Sequence, residues 1–191
     1  TTLSTEEIKK KVIQSVEKYL AQSEVEKFNG KFRLSKIIGT IDNAEQSINS
    51  NDTHIILRKD FYPTLNSSFY YELCYQNQFA DDCEGPVVQS TGFVVSEYPN
   101  YTCYVEDRNG VLVLYRLDSL TGTKIVLNDA LGKVDYVKGE VMMYDLTIIK
   151  GSFDDNRIEL RVRPLHGDIN VLREAYIDVD IAQSKFTTYS E

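Results

Sequence analysis

The chain has 191 residues and 21.9 kDa, enough to bury a sizeable core in one large domain or two small ones. Its 42% hydrophobic and 26% charged residues are ordinary for a folded protein and exclude disorder as the main state. A formal charge of −8 argues against nucleic-acid or anionic-lipid partners, and no apolar run approaches the roughly 20 residues of a membrane helix.

In chain order, the first predicted element is a helix. Ser4 stands three residues before Glu7, the capping-box spacing. Ile8, Val12, Val16 and Leu20 then recur every fourth residue as one apolar stripe, and Asn29-Gly30 closes the segment. A second helix is predicted after Ser35, with Ile37, Ile41, Ala44 and Ile48 on one face. Gly39 inside it costs roughly 1 kcal/mol against alanine, so packing there should compensate. The opening is polar and carries no signal peptide. It also lacks an initiating Met, so a piece excised from a longer protein is expected rather than a processed product.

From Thr53 the period changes to two. "THIILRKDFY" and "SSFYYELCYQ" read as strands, the second with Phe69, Tyr71, Leu73 and Tyr75 on one face. "NQFADDCEGP" reads as a polar loop and the boundary between a helix/strand subdomain at 1–80 and a β-rich subdomain at 81–191, unless the two are continuous.

The second half is read as strands and turns. Asn109-Gly110 between two β-rich runs is the type I′ hairpin signature and sets Tyr104 opposite Tyr115 and Val105 opposite Leu114. "LGKVDYVKGEVMMYDLTI" is a second hairpin, broken at Lys138-Gly139. "DNRIELRVRP" alternates, with Ile158, Leu160 and Val162 inward and Arg157, Glu159, Arg161 and Arg163 outward. "AYIDVDIAQ" does the same, with Ala175, Ile177, Val179 and Ile181 inward. If the two are neighbours, its acids Asp178 and Asp180 would meet the basic face of the former. The fold class is therefore α+β: N-terminal helices on a small antiparallel sheet, then a β-rich half of hairpins.

Catalytic chemistry is not written on this chain. Its two histidines, His54 and His166, have no nucleophile motif and fall in a strand and a turn. No glycine run precedes a helix to cradle phosphate. The acidic pairs Asp81-Asp82 and Asp154-Asp155 and the Asp178–Asp180 step match no calcium loop and read as turn acids and solvated faces. Cys74, Cys83 and Cys103 form no C-x-x-C motif and are expected to be reduced thiols. Sequons start at Asn51, Asn66 and Asn100, and read as chance matches where no secretion signal is visible. No cofactor, metal or catalytic residue is assigned. Tyrosine, at 13 residues, exceeds what the sheet faces need, and Tyr62, Tyr70, Tyr98 and Tyr101 are candidates for a subunit interface.

Four segments in this order resemble one family. They are "LSTEEIKKKVIQSVEKYLAQSEVEKFNGKFRLSKIIGTIDNAEQSINSN", "STGFVVSEY", the D-x-x-G-x-L-x-L-Y step in "VEDRNGVLVLYRLD", and the G-x-V-D-Y-x-x-G core of "LGKVDYVKGEV" with a closing R-V-x-P. They are similar to the C-terminal region of the baseplate wedge protein of T-even-type contractile-tailed bacteriophages, the gene product six family. The resemblance implies a non-enzymatic virion protein of the tail baseplate, assembled in the host cytoplasm. It implies a homodimer that joins neighbouring wedge subunits into a ring around the hub. A small carbohydrate-binding or glycan-hydrolysing domain is the alternative, requiring two converging carboxyls in a cleft beside a tyrosine platform.

Overall fold

The computed structural model describes residues 3–27, 29–81, 85–171 and 177–189. The chain divides into two compact units, one formed by residues 1–55 with 167–191, the other by 56–166. The boundary expected at residues 80 and 81 falls inside the second unit. The first unit is discontinuous, because the chain returns to it after the second is complete.

In the first unit, helix α1 (Thr5–Gln22) begins at the predicted capping box: the Ser4 hydroxyl accepts from the Glu7 amide at 3.3 Å, and the Glu7 carboxylate accepts from the Ser4 amide at 2.8 Å. Those bonds hold the Glu7 carboxyl below its ordinary range. Val12, Val16 and Leu20 are buried, as their spacing requires. Helix α2 (Leu34–Asp42) is shorter than predicted, so Ala44 and Ile48 lie beyond it. The reason is local competition. Asn43 donates to the Gly39 carbonyl at 2.6 Å, and Asn51 folds back to the Ile38 carbonyl and the Asp42 carboxylate, occupying the last-turn acceptors. Gly39 has open space where a Cβ would stand, so the expected compensating packing does not exist.

The small antiparallel sheet expected beside the helices is β1 (Lys31–Phe32) against β11 (Ile169–Asn170). Val25, Phe32, Ile37 and Ile169 are also buried in this unit. Among the described residues the predicted C-terminal strand does not form. Residues 177–180 lie in no ladder, 181–183 form a turn, and Ala175 and Tyr176 lie outside the described residues. The Asp180 carboxylate accepts from the Gln183 amide, so this acid serves a turn rather than a strand face.

The second unit contains, among the described residues, a nine-stranded sheet. Its strands are β2 (Leu57–Phe61), β3 (Ser68–Cys74), β4 (Val88–Ser90), β5 (Val94–Val95), β6 (Cys103–Arg108), β7 (Val111–Leu117), β8 (Lys124–Asp135), β9 (Glu140–Lys150) and β10 (Ile158–Val162). Their order is β2-β10-β4-β6-β7-β8-β9-β3, with β5 paired to β9. The pairing is antiparallel and the sheet curls until it is nearly a barrel. β2 and β3 face each other across the seam by side chains: Phe61 and Tyr71 rings stand 5.5 Å apart, and the buried Tyr75 phenol donates to the Leu160 carbonyl at 2.6 Å. The class is α+β and β-rich.

Both predicted hairpins are present. Asn109 and Gly110 have φ of 49° and 79°, and Tyr104↔Tyr115 and Val105↔Leu114 are register partners. Gly139, with φ 69°, closes the second, where an added Cβ would sit 2.0 Å from the Asn77 carbonyl oxygen. Ile158, Leu160 and Val162 point into the core as predicted. Glu159 does not face solvent: it is fully buried. Arg161, Arg157 and Arg58 approach its carboxylate at 2.7, 3.6 and 3.8 Å and fold over it, so these arginines serve an acid of their own sheet. The first strand starts only at Leu57, so His54 is not in a strand; it is exposed beside Asp52 at 3.2 Å. His166 lies in a bend, as expected.

Candidate functional site

Two features of the second unit stand out. The first is a buried pin. Asp107, 1% exposed, accepts from the amides of Val87 and Val88 at 2.7 and 2.6 Å and from the Tyr136 hydroxyl at 2.6 Å. The same Tyr136 oxygen accepts from the Gly110 amide at 2.8 Å. Asp107 opens the D-x-x-G step and Tyr136 lies in the G-x-V-D-Y-x-x-G core. The two sequence motifs are thus one structural lock joining both hairpin turns.

The second is a groove of about 660 Å³ where β8 and β9 part company. Their ladder runs only from Gly132↔Met143 to Asp135↔Glu140. Beyond Met143, β9 pairs with β3 on one flank and with β5 on the other. From Lys124 to Leu131, β8 is paired to β7 alone among the described residues. Val126, Leu127, Asn128, Asp129, Glu97 and Asp145 are among the groove's lining residues, with Tyr98 and Tyr144. The Tyr98 hydroxyl reaches across to the Leu127 carbonyl at 3.4 Å.

The candidate tyrosines fall in three places. Tyr98 is half-buried in the groove, its ring packed on the core. Tyr70, 51% exposed, stacks on Tyr144 with centroids 5.7 Å apart and so extends the groove's aromatic wall. Partial removal from water, then the neighbouring Glu72 carboxylate, raises the Tyr70 phenol above its ordinary value. Tyr101 lies under the Arg116 guanidinium, 4.5 Å from ring centroid, and is 47% exposed. Tyr62, the most exposed of the four, follows β2.

The acids that converge are not those the sequence offered. Asp155 accepts from the Arg157 amide in a turn. Asp82 and Cys83 lie outside the described residues, and Cys74 and Cys103 are free thiols. Glu97, Asp129 and Asp145 are isolated in sequence and line one groove because the strands diverge. All three are exposed. Among the described residues, no three His, Cys, Asp or Glu side chains are placed to hold a metal ion. No described helix is long and apolar enough to cross a membrane.

The second unit thus combines a nearly closed antiparallel sheet with exposed aromatics and an open strand flank. Residues 1–60 match the family model described as baseplate structural protein gp6, C-terminal domain III. This is the family that the sequence resembles, and the match takes in α1, β1, α2 and most of β2. The matched domain is described as a structural protein of the baseplate. No curated protein matches the chain closely.

Proposed function

We propose that the chain is an assembly module of a contractile-tail baseplate wedge subunit. In this reading it pairs with a second copy of itself and helps join neighbouring wedges into the ring around the hub, during assembly in the host cytoplasm. The observation that carries the reading is the match of residues 1–60 to a structural baseplate domain. Exposed Tyr62, Tyr70 and Tyr101 support it, since burying such rings against a partner releases water from large apolar areas. Tyr98, half-buried, would contribute at the margin.

Sedimentation of the 191-residue chain tests the pairing, with a dimer expected. Monomer alone at high micromolar concentration overturns it. Where a tyrosine anchors the interface, its change to serine weakens dimerisation by about thirty-fold, the equivalent of about 2 kcal/mol.

One observation favours a second reading, the binding of a glycan: the acid-lined groove has Tyr98 and Tyr144 in its wall. Exposed carboxylates suit hydrogen bonding to sugar hydroxyls better than hydrolysis. A glycan array without signal retires this reading.

A further inference from the structure

We infer that the groove between β8 and β9 is a docking site for an extended, basic segment of a partner protein, which adds to the open flank of β8 as a strand. The inference rests on the assembly reading only in taking the occupant to be protein.

Three observations carry it. First, β8 continues from Gly132 back to Lys124 after β9 has left it, so its flank toward the groove has no ladder there among the described residues. The groups that meet this flank are side chains, such as the Tyr98 hydroxyl on the Leu127 carbonyl. Backbone donors and acceptors on such a flank are a template for another strand. Second, the floor and wall suit the alternating side chains of a strand. Val126 is 40% exposed and Tyr144 42%, with Tyr70 stacked behind the latter. These apolar surfaces are left partly open to solvent among the described residues.

Third, the charge has one sign. Glu97, Asp129 and Asp145 line the groove, and among the described residues no lysine or arginine does. This selects the occupant. A second copy of a chain carrying −8 would bring like charge to an acidic rim, whereas a lysine- or arginine-bearing strand would be drawn to it and aligned. Self-pairing through the outer tyrosines Tyr62 and Tyr101 leaves the groove free for a strand, whereas Tyr70 and Tyr98, in the groove wall, would serve the strand.

The test uses the full 191-residue chain and three amidated octapeptides at low ionic strength, followed by fluorescence anisotropy and amide chemical shifts. One peptide alternates lysine and valine. A second replaces lysine by glutamate. A third replaces valine by proline, keeping the charge but removing half of the strand's N–H groups. The lysine–valine peptide should bind about ten-fold or more tighter than either control, with shifts concentrated at residues 124–131. Glu97→Lys with Asp129→Lys, both at exposed positions, should weaken it by about ten-fold without lowering the melting temperature. The neutral pair Glu97→Gln with Asp129→Asn should show a smaller loss in the same direction. No binding of the lysine–valine peptide, equal binding of the proline peptide, or unchanged affinity in both double variants would overturn the inference. The dimer is measured without peptide, so failure of the one leaves the other standing.

Discussion

Replacing Asp107 by alanine is expected to be among the most damaging single changes available in the second unit. The side chain is buried and satisfies three donors: the amides of Val87 and Val88 and the hydroxyl of Tyr136. Leaving a buried donor unpaired costs about 1–3 kcal/mol. Allowing for water entering the space left by the carboxylate, the sum is about 3–6 kcal/mol, a large share of the roughly 5–15 kcal/mol that holds a domain folded. Tyr136→Phe removes the bridging oxygen between Gly110 and Asp107 and should cost less, about 1–2 kcal/mol. The two changes share a bond, so the double variant should lose clearly less than the sum of the singles. Urea unfolding followed by tyrosine fluorescence reads the totals. Amide exchange at Val87 and Val88 reads the site itself, where protection should fall together with global stability. Strict additivity of the two changes, or an alanine variant within about 0.5 kcal/mol of the parent, would show that the lock does not join the hairpins.

Other expectations follow from single positions. Gly39→Ala should raise stability by about 0.5–1 kcal/mol in thermal melts, since the site is helical and open where the methyl would go. Gly139→Ala should lower it by on the order of 3 kcal/mol, because φ is 69° and the new Cβ would stand 2.0 Å from the Asn77 carbonyl oxygen. Ser4→Ala removes the α1 cap and should cost about 1 kcal/mol. A pH titration of stability should show an alkaline loss. Burial raises the Tyr75 phenol well above the ordinary value of 10.0, so its contribution is complete below about pH 10 and fades as pH rises beyond it. Stability unchanged from pH 9 to 12 would contradict that burial.

What could be read from the sequence is what local chemistry dictates. A Ser-x-x-Glu step satisfies a helix's own first amides, and an Asn-Gly pair supplies two residues tolerant of positive φ, so α1 and the β6–β7 register follow without tertiary information. What could not be read depends on residues distant in sequence. The pairing of β1 with β11 returns the chain's end to the first unit, and no local pattern around Ile169 announces it. Glu159 sits at a position that alternation assigns to solvent; it is buried by arginine side chains of its own and the adjacent strand. The apolar period of Ile177, Val179 and Ile181 suggested a strand, but periodicity supplies no hydrogen-bonding neighbour, and that segment has none in a ladder. The groove escaped for the same reason, since Glu97, Asp129 and Asp145 are unremarkable until two strands separate.

The separation also explains why so much glycine and aspartate chemistry is placed at one end of β8 and β9. Gly132 lies where an added Cβ would be 2.0 Å from the Met142 carbonyl oxygen, so the strands press together there as only glycine permits. Gly139 closes the turn against Asn77, and Tyr136 ties it to Asp107. At the other end the same two strands diverge: β8 follows β7 through register shifts, while β9 turns at Asp145, with φ 46°, toward β3 and β5. A pair of strands that parted freely at one end would tend to unzip from it. Fastening the turn end gives the divergence a fixed pivot, so the open flank of β8 is held in place without being filled. An assembly surface needs that combination, a rigid frame with unspent hydrogen-bonding capacity, because a partner then loses little entropy in ordering the site it occupies.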